Sequence, residues 1–288
     1  MIAELSLPAT ATATAHPSKP FVLNHVSPTS MKTYFSCSLR FYFEKVQQLP
    51  KPVSPSLHLG KAVHAGLRAF HLARWRDGDP SESAVLAAYQ TAFVELEQGE
   101  GPVEWSEPTE RSETLATGER VIRAYLTSDH ARVEGKPLGV EVALSDSVPG
   151  LDLPLTGVID LVRLGHVPVD FKTVASTPSD LDLESFLHEA QLTAYQLLLE
   201  AAIGAPVTAL ELVFLIKTKN PKILVHREPP ADEARKQRFI ALANAYIAGV
   251  RAKRFHPQSN QTSPSLPVAR LRYSCLKVVM KKFYTKIK

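Results

Sequence analysis

The chain has 288 residues, 44% hydrophobic and 22% charged, with a formal net charge of +4, a length that buries one substantial core and also permits two. Its only cysteines, Cys37 and Cys275, are too few for a disulfide framework or a zinc ribbon and fit a reducing compartment. No run approaches the roughly 18 apolar residues of a bilayer span, so a cytoplasmic protein with no membrane association is expected.

Residues 1–20 are rich in Ala, Thr and Pro without periodicity and read as a disordered lead-in to a single domain over 21–256. Ser27-Pro-Thr-Ser30 is a helix start, and the spacing predicts a helix from Met31 to about Gln48, ended by the proline-rich link Pro50 to Pro55. Helices follow over Leu57–Trp75, Ser81–Glu97 and Thr109–Leu126, each with apolar residues at helical spacing. The pattern then changes to strands at Leu138–Leu144, Leu155–Arg163 and Val167–Lys172, expected as an antiparallel meander. An amphipathic helix over Leu183–Ala202 precedes strands Ala209–Ile216 and Ile223–Arg227, joined by a turn at Lys219-Asn-Pro221, and a last helix spans Ala231–Arg254. The fold class is α/β, a central mixed sheet flanked by helices, with no internal repeat. Residues 257–288 hold Arg270, Arg272, Lys277, Lys281, Lys282, Lys286 and Lys288 and no acid, seven positive charges that leave −3 for the rest. The pI of about 9.0 therefore belongs to a basic, weakly patterned tail suited to salt-sensitive, non-specific contact with DNA. Any DNA groove within the domain has to be a local patch.

The chemistry concentrates in Thr156–Thr173, two β-rich runs around the turn Leu164-Gly-His166. A turn centred on Gly165 sets Ile159 opposite Phe171, Leu161 opposite Val169 and Arg163 opposite Val167, a mostly apolar face. It also sets Asp160 opposite Asp170. Opposed side chains in an antiparallel pair have Cβ atoms about 4.5–5.5 Å apart, where like charges destabilise the sheet. A divalent cation, Mg²⁺ or Mn²⁺, removes that repulsion, because hard oxygen donors at this separation converge on it. Lys172 projects to the face of both carboxylates, where its ammonium can polarise a phosphate or orient the attacking water. Two acids, a metal and a lysine are the minimum for hydrolysing a phosphodiester. Taken alone, an Asp-x-Lys tripeptide is common and is more often an exposed ion pair worth little.

The ordered set of motifs resembles the PD-(D/E)XK nuclease superfamily, specifically its RecB-like exonuclease branch with AddB-type and CRISPR-adaptation relatives. The residues that carry the likeness are Ser27-Pro-Thr-Ser30 with Tyr34, Cys37 and Arg40-Phe-Tyr-Phe43; Leu59-Gly-Lys-Ala-Val-His64; Gly157-Val-Ile-Asp160; Val169-Asp-Phe-Lys-Thr173; and Gln191-Leu-Thr-Ala-Tyr195. The resemblance implies His64 as a third metal ligand beside Asp160 and Asp170, and the carbonyl of Phe171 as a main-chain ligand. It implies that Gln191 and Tyr195, at i and i+4 on one helix face, support the site and the nucleic-acid strand. Boundary packing with a hydrogen-bonded phenol explains that pair equally well. Glu141, on the strand before the hairpin, is implied as a further acid that binds metal through water, since alternation sets it opposite to Val140 and Val142. His71 has no motif partner and reads as structural.

Many members of that branch hold an iron–sulfur cluster on four cysteines. This chain has two, so no cluster is expected. The function implied is a Mg²⁺- or Mn²⁺-dependent deoxyribonuclease, an exonuclease in DNA recombination, repair or defence. A catalytically weak DNA-binding or scaffold subunit of a helicase–nuclease complex is the alternative, and the residues alone leave RNA cleavage open. No phosphate loop of the Gly-x-x-x-x-Gly-Lys-[Ser/Thr] kind is present, so a motor, where one is used, is a separate helicase or recombination subunit.

Overall fold

The meander expected from residues 138–172 begins a five-stranded sheet in the order β1 (Gly139–Asp146), β2 (Leu155–Arg163), β3 (Val167–Val174), β4 (Leu210–Ile216) and β5 (Lys222–Glu228). The computed structural model describes residues 21–49, 53–99, 102–133, 135–179 and 186–256. The lead-in 1–20, the tail 257–288 with Cys275, and the expected helix start at Leu183 lie outside them. The first three strands are antiparallel, β3 and β4 run parallel, and β5 returns antiparallel to β4. A parallel pair needs a crossover, and helix α6 (Phe186–Ile203) supplies it. β4 is buried at every position, as its near-continuous apolar run requires of a central strand.

Before the sheet come α1 (Pro28–Ser36), α2 (Ser38–Phe41), α3 (Pro55–Arg76), α4 (Glu82–Gly99) and α5 (Glu110–Thr127); α7 (Glu233–Arg251) closes the domain. The mixed sheet flanked by helices matches the fold class read from the pattern. One face packs Leu67, Phe93 and Ile122 of α3–α5 against Leu161, Val169 and Phe171. Each such apolar side chain, fully buried, contributes about 1.5–3 kcal/mol. The other face packs Leu192, Tyr195 and Leu199 of α6 against Ile159, Leu212 and Phe214. A third cluster joins Met31, Tyr34 and Phe41 to Leu198, Phe239 and Tyr246, fastening α1 and α2 to α6 and α7.

One expected element is divided. The helix predicted over Met31–Gln48 stops at Ser36, because Cys37 adopts an extended backbone with φ −168 and ψ 104 and becomes the cap of α2. Its Sγ accepts the Arg40 N–H at 3.4 Å, and α2 runs on into a π-helical turn over Tyr42–Val46. The periodicity of the segment carries through this step, so pattern alone does not reveal it. Two long-range contacts hold the step in place: Tyr34 Oη donates to the Arg254 carbonyl at 3.0 Å, and Ser38 Oγ donates to the His256 carbonyl at 3.0 Å while accepting its N–H at 2.8 Å. Among the described residues no helix is long and apolar enough to cross a membrane.

His71 and His130 lie on either side of Tyr125; His71 Nε2 is 2.8 Å from the tyrosine hydroxyl, and the His130 ring centroid is 6.0 Å from the tyrosine ring. Burial, assisted by the positive charge of Arg163, pushes both imidazoles down to about 3. Unfolded, the rings protonate near 6.5, so their stabilising contribution is complete above about pH 6.5 and is lost as pH falls toward 3. Urea unfolding at pH 7 and pH 5 tests this: the loss of stability in His130→Phe should be smaller than in wild type by about 2 kcal/mol.

Candidate active site

The geometry of the site starts from a break in the pleat. β1 and β2 pair at Val140↔Leu161 and again at Val142↔Ile159, with Glu141 and Asp160 between them unpaired. Glu141 has φ +47, a left-handed conformation that a non-glycine residue adopts at a cost. Alternation turns over at this point: Val140 and Leu161 pack toward α3–α5, while Val142 and Ile159 pack toward α6. The apolar face expected to contain both Ile159 and Leu161 is therefore split, and Val140 and Val142 do not share a face. Counting by twos assumes an unbroken strand, which an irregularity of this kind violates.

The β2–β3 ladder has the expected register at Leu161↔Val169, Val162↔Pro168 and Arg163↔Val167 and stops there. Asp160 and Asp170 are thus not ladder partners, in contrast to the pairing drawn from the sequence. Instead Asp160 reaches across the gap, and its Oδ2 accepts the N–H of Phe171 at 2.9 Å, the bond that the missing ladder leaves vacant. His64 of α3 stands with Nδ1 3.6 Å from the same oxygen.

Asp170 points toward α6. Its Oδ1 accepts from Gln191 Nε2 at 2.8 Å and from Tyr195 Oη at 3.3 Å, and Gln191 Nε2 also donates to Tyr195 Oη at 2.9 Å. Lys172 lies on the same face, with Nζ 2.6 Å from Asp170 Oδ2. Side-chain exposure falls from 32% at His64 and 21% at Asp160 to 4% at Asp170, so the site is a recess with Asp170 at its floor. Sequence spacing alone anticipated the meeting of Gln191 with Tyr195 and of Lys172 with Asp170.

The electrostatics separate the two acids. Burial raises the pKa of Asp170 above the usual carboxylate range, against the pull of the Lys172 ammonium. Burial acts the same way on Asp160, but His64, the Phe171 amide and Lys172 outweigh it and hold this group below its ordinary value. His64 is pulled down by burial and raised more strongly by Asp160 and Asp170, ending above its ordinary value.

Glu141 is not part of this constellation: its Oε2 is 2.5 Å from Nε of Arg68, one helical turn beyond His64 on α3. Phe171 contributes its amide to Asp160, and its ring packs against His71 and Tyr125. Sequence reasoning missed Lys32 of α1. Burial lowers its pKa first, and the Lys172 charge lowers it further while Asp170 opposes, so a second ammonium lies within electrostatic reach of the site. The only signal for it was its position two residues after the Ser27-Pro-Thr-Ser30 start.

Two carboxylates are hard donors of the kind Mg²⁺ and Mn²⁺ take, and the imidazole beside them is a borderline one. Asp170 Oδ2 is buried, and its partner is a positive charge, the Lys172 ammonium at 2.6 Å, which fits an oxygen turned toward cations. As the side chains stand, no three His, Cys, Asp or Glu among the described residues close on one point, and Lys172 occupies the approach to that oxygen.

A family model described as the PD-(D/E)XK nuclease superfamily matches residues 25–275. Among solved structures, the chain is similar to a crystal structure from Eubacterium rectale named as a candidate exonuclease, 13% identical, with a TM-score of 0.55 over 87% of this chain and 93% of that one. The crystal structure of SSO0001 is 15% identical over 82% of this chain and 95% of that one, but its TM-score of 0.32 is too low to bear on the fold. No curated protein sequence matches the chain.

Replacing Gln191 by Leu keeps the volume and removes the stronger donor to Asp170 Oδ1. Urea unfolding at pH 7 should show a loss of about 1–3 kcal/mol, the cost of stranding a buried acceptor. Tyr195→Phe should cost less, because its bond to Asp170 is the longer one and the Gln191 amide remains.

Proposed function

The chain belongs to the PD-(D/E)XK nuclease superfamily, whose model matches most of its length, and from that premise we propose that it is a Mg²⁺- or Mn²⁺-dependent DNA nuclease acting as an exonuclease. The observation that carries this reading is the convergence of Asp160, Asp170, His64 and Lys172 on one recess. In this reading residues 21–256 are the nuclease domain. Asp160, Asp170 and His64 hold the metal, with the Phe171 carbonyl as a main-chain donor; Glu141, engaged by Arg68, contributes only through water. A bound divalent ion supplies neutralisation of the phosphate oxygens and a water acidified toward neutral pH.

The protein's own groups do the rest. Gln191 and Tyr195 fix the rotamer of Asp170 by bonding Oδ1, leaving Oδ2 turned toward the recess. Lys172, once drawn from Asp170 to a phosphate, polarises the scissile group and orients the attacking water, and its charge is worth most in a recess where water is scarce. Lys32 adds a second positive charge beside it, favouring an anionic substrate over solvent. The exonuclease mode is supported by the RecB-like order of motifs and by the name carried by the Eubacterium rectale neighbour. The same kinship suggests a place in recombination, repair or defence, alongside a separate helicase or recombination subunit.

A labelled linear duplex and a closed circle, each incubated with Mg²⁺, Mn²⁺ or chelator, test the reading. Wild type should shorten the linear duplex from its ends, spare the circle and stop in chelator. Lys172→Ala should lose at least about 100-fold in rate with its circular dichroism unchanged. Fragments formed in chelator, or undiminished cutting by that variant, contradict the assignment.

A further inference from the structure

Helix α3 runs beside the sheet with one stripe of side chains at four-residue spacing, three of which meet a different strand each and the fourth the residue after β4. Ser56 Oγ accepts from Nζ of Lys217, the residue that follows β4, at 2.6 Å. Gly60 faces Thr173 of β3, with only the Thr173 Cβ at 4.0 Å from where its own Cβ would stand. His64 faces Asp160 of β2, and Arg68 faces Glu141 of β1. The stripe from Ser56 to Arg68 is about 18 Å long at 1.5 Å per residue. At roughly 3.4 Å of axis per phosphate on one strand, that is the length of about five nucleotides. The cut site thus lies inside a track.

Beyond Ser56 the track runs onto the β4–β5 turn, which carries Lys217, Lys219 and Lys222 and no acid between Ile216 and Lys222. Lys217 is anchored there by its own N–H, which donates to the Val174 carbonyl at 2.9 Å. Lys136 pairs with Asp77 and Lys236 with Glu200. Among the described residues no carboxylate pairs with Lys217, Lys219 or Lys222. Lys217 is also half-buried, and burial lowers its pKa, yet a neutral hydroxyl is its hydrogen-bond partner. A partly desolvated ammonium without a counter-ion is stabilised by an arriving anion.

Resting on the nuclease reading, we propose that one DNA strand lies along the Ser56–Gly60–His64–Arg68 stripe of α3 and that the β4–β5 turn grips its phosphates through Lys217, Lys219 and Lys222. The turn holds backbone and not bases, so it carries no sequence preference. Lys219 and Lys222 are exposed and their replacement leaves the core intact, whereas Lys217 takes part in packing.

Fluorescence anisotropy of a labelled 12-nucleotide single strand, measured in chelator across a KCl series, tests the assignment. The double variant Lys219→Ser/Lys222→Ser should bind more weakly, with a plot of log Kd against log salt shallower by about 1.4 units, two single-strand phosphate contacts at about 0.7 each. Lys217→Gln should flatten it by about 0.7, and Lys236→Ser, which removes a paired lysine, should leave the slope unchanged. Equal slopes in wild type and the double variant, while wild type still cuts DNA, overturn this assignment and leave the nuclease reading standing. The same flattening in Lys236→Ser also overturns it, since the effect would then be one of total charge. A wild type that neither binds nor cuts DNA overturns both.

Discussion

The site depends on one substitution of partners in the sheet: a carboxylate takes the place of a backbone carbonyl. Asp160 is released from the ladder where Glu141 enters a left-handed conformation, and it satisfies the Phe171 amide that the interrupted β2–β3 pairing leaves open. A charged acceptor makes a stronger bond to an amide than a neutral one, so the break is sealed. The same bond holds the Asp160 oxygen on the side of His64, while Asp170 is gripped from α6. Two acids that would repel as direct ladder neighbours are thereby kept close, fixed by different elements and in different electrostatic surroundings.

That division of labour is visible in how each acid is supported. Asp170 has its position set by a helix, through Gln191 and Tyr195, and its burial favours the neutral form. Asp160 is set by a strand amide and an imidazole, both of which favour the anion. An opposite charge at short range lowers the pKa of a buried acid, so a cation in the recess would work against the burial that raises Asp170. Glu141, the third carboxylate of this region, is occupied by Arg68.

Much of this was legible in the residues. The order of strands and helices, the hairpin register around Gly165 and the approach of Lys172 to Asp170 follow from periodicity, turn chemistry and alternation. The ordered motifs identified the superfamily, which the family match bears out. What stayed hidden has a common cause. The break at Glu141, the extended Cys37 that divides the first helix, and the mutual influence of Lys32 and Lys172 are all decided by tertiary partners. Local pattern does not encode a positive φ at a glutamate, since glycine is the residue that normally signals one. Nor does it encode which residue of a helix will face an acid some 140 positions later.

The long-range clasp between the first helices and the end of the last one has a consequence for the order in which the enzyme comes into being. Tyr34 and Ser38 bond to the carbonyls of Arg254 and His256, contacts spanning 220 and 218 residues, and the helix they steady carries Lys32. On the ribosome the amino-terminal part emerges first, so the hairpin with both aspartates exists before the segment that locks this wall. A growing polypeptide therefore carries both aspartates before the contacts that steady the Lys32 helix can form.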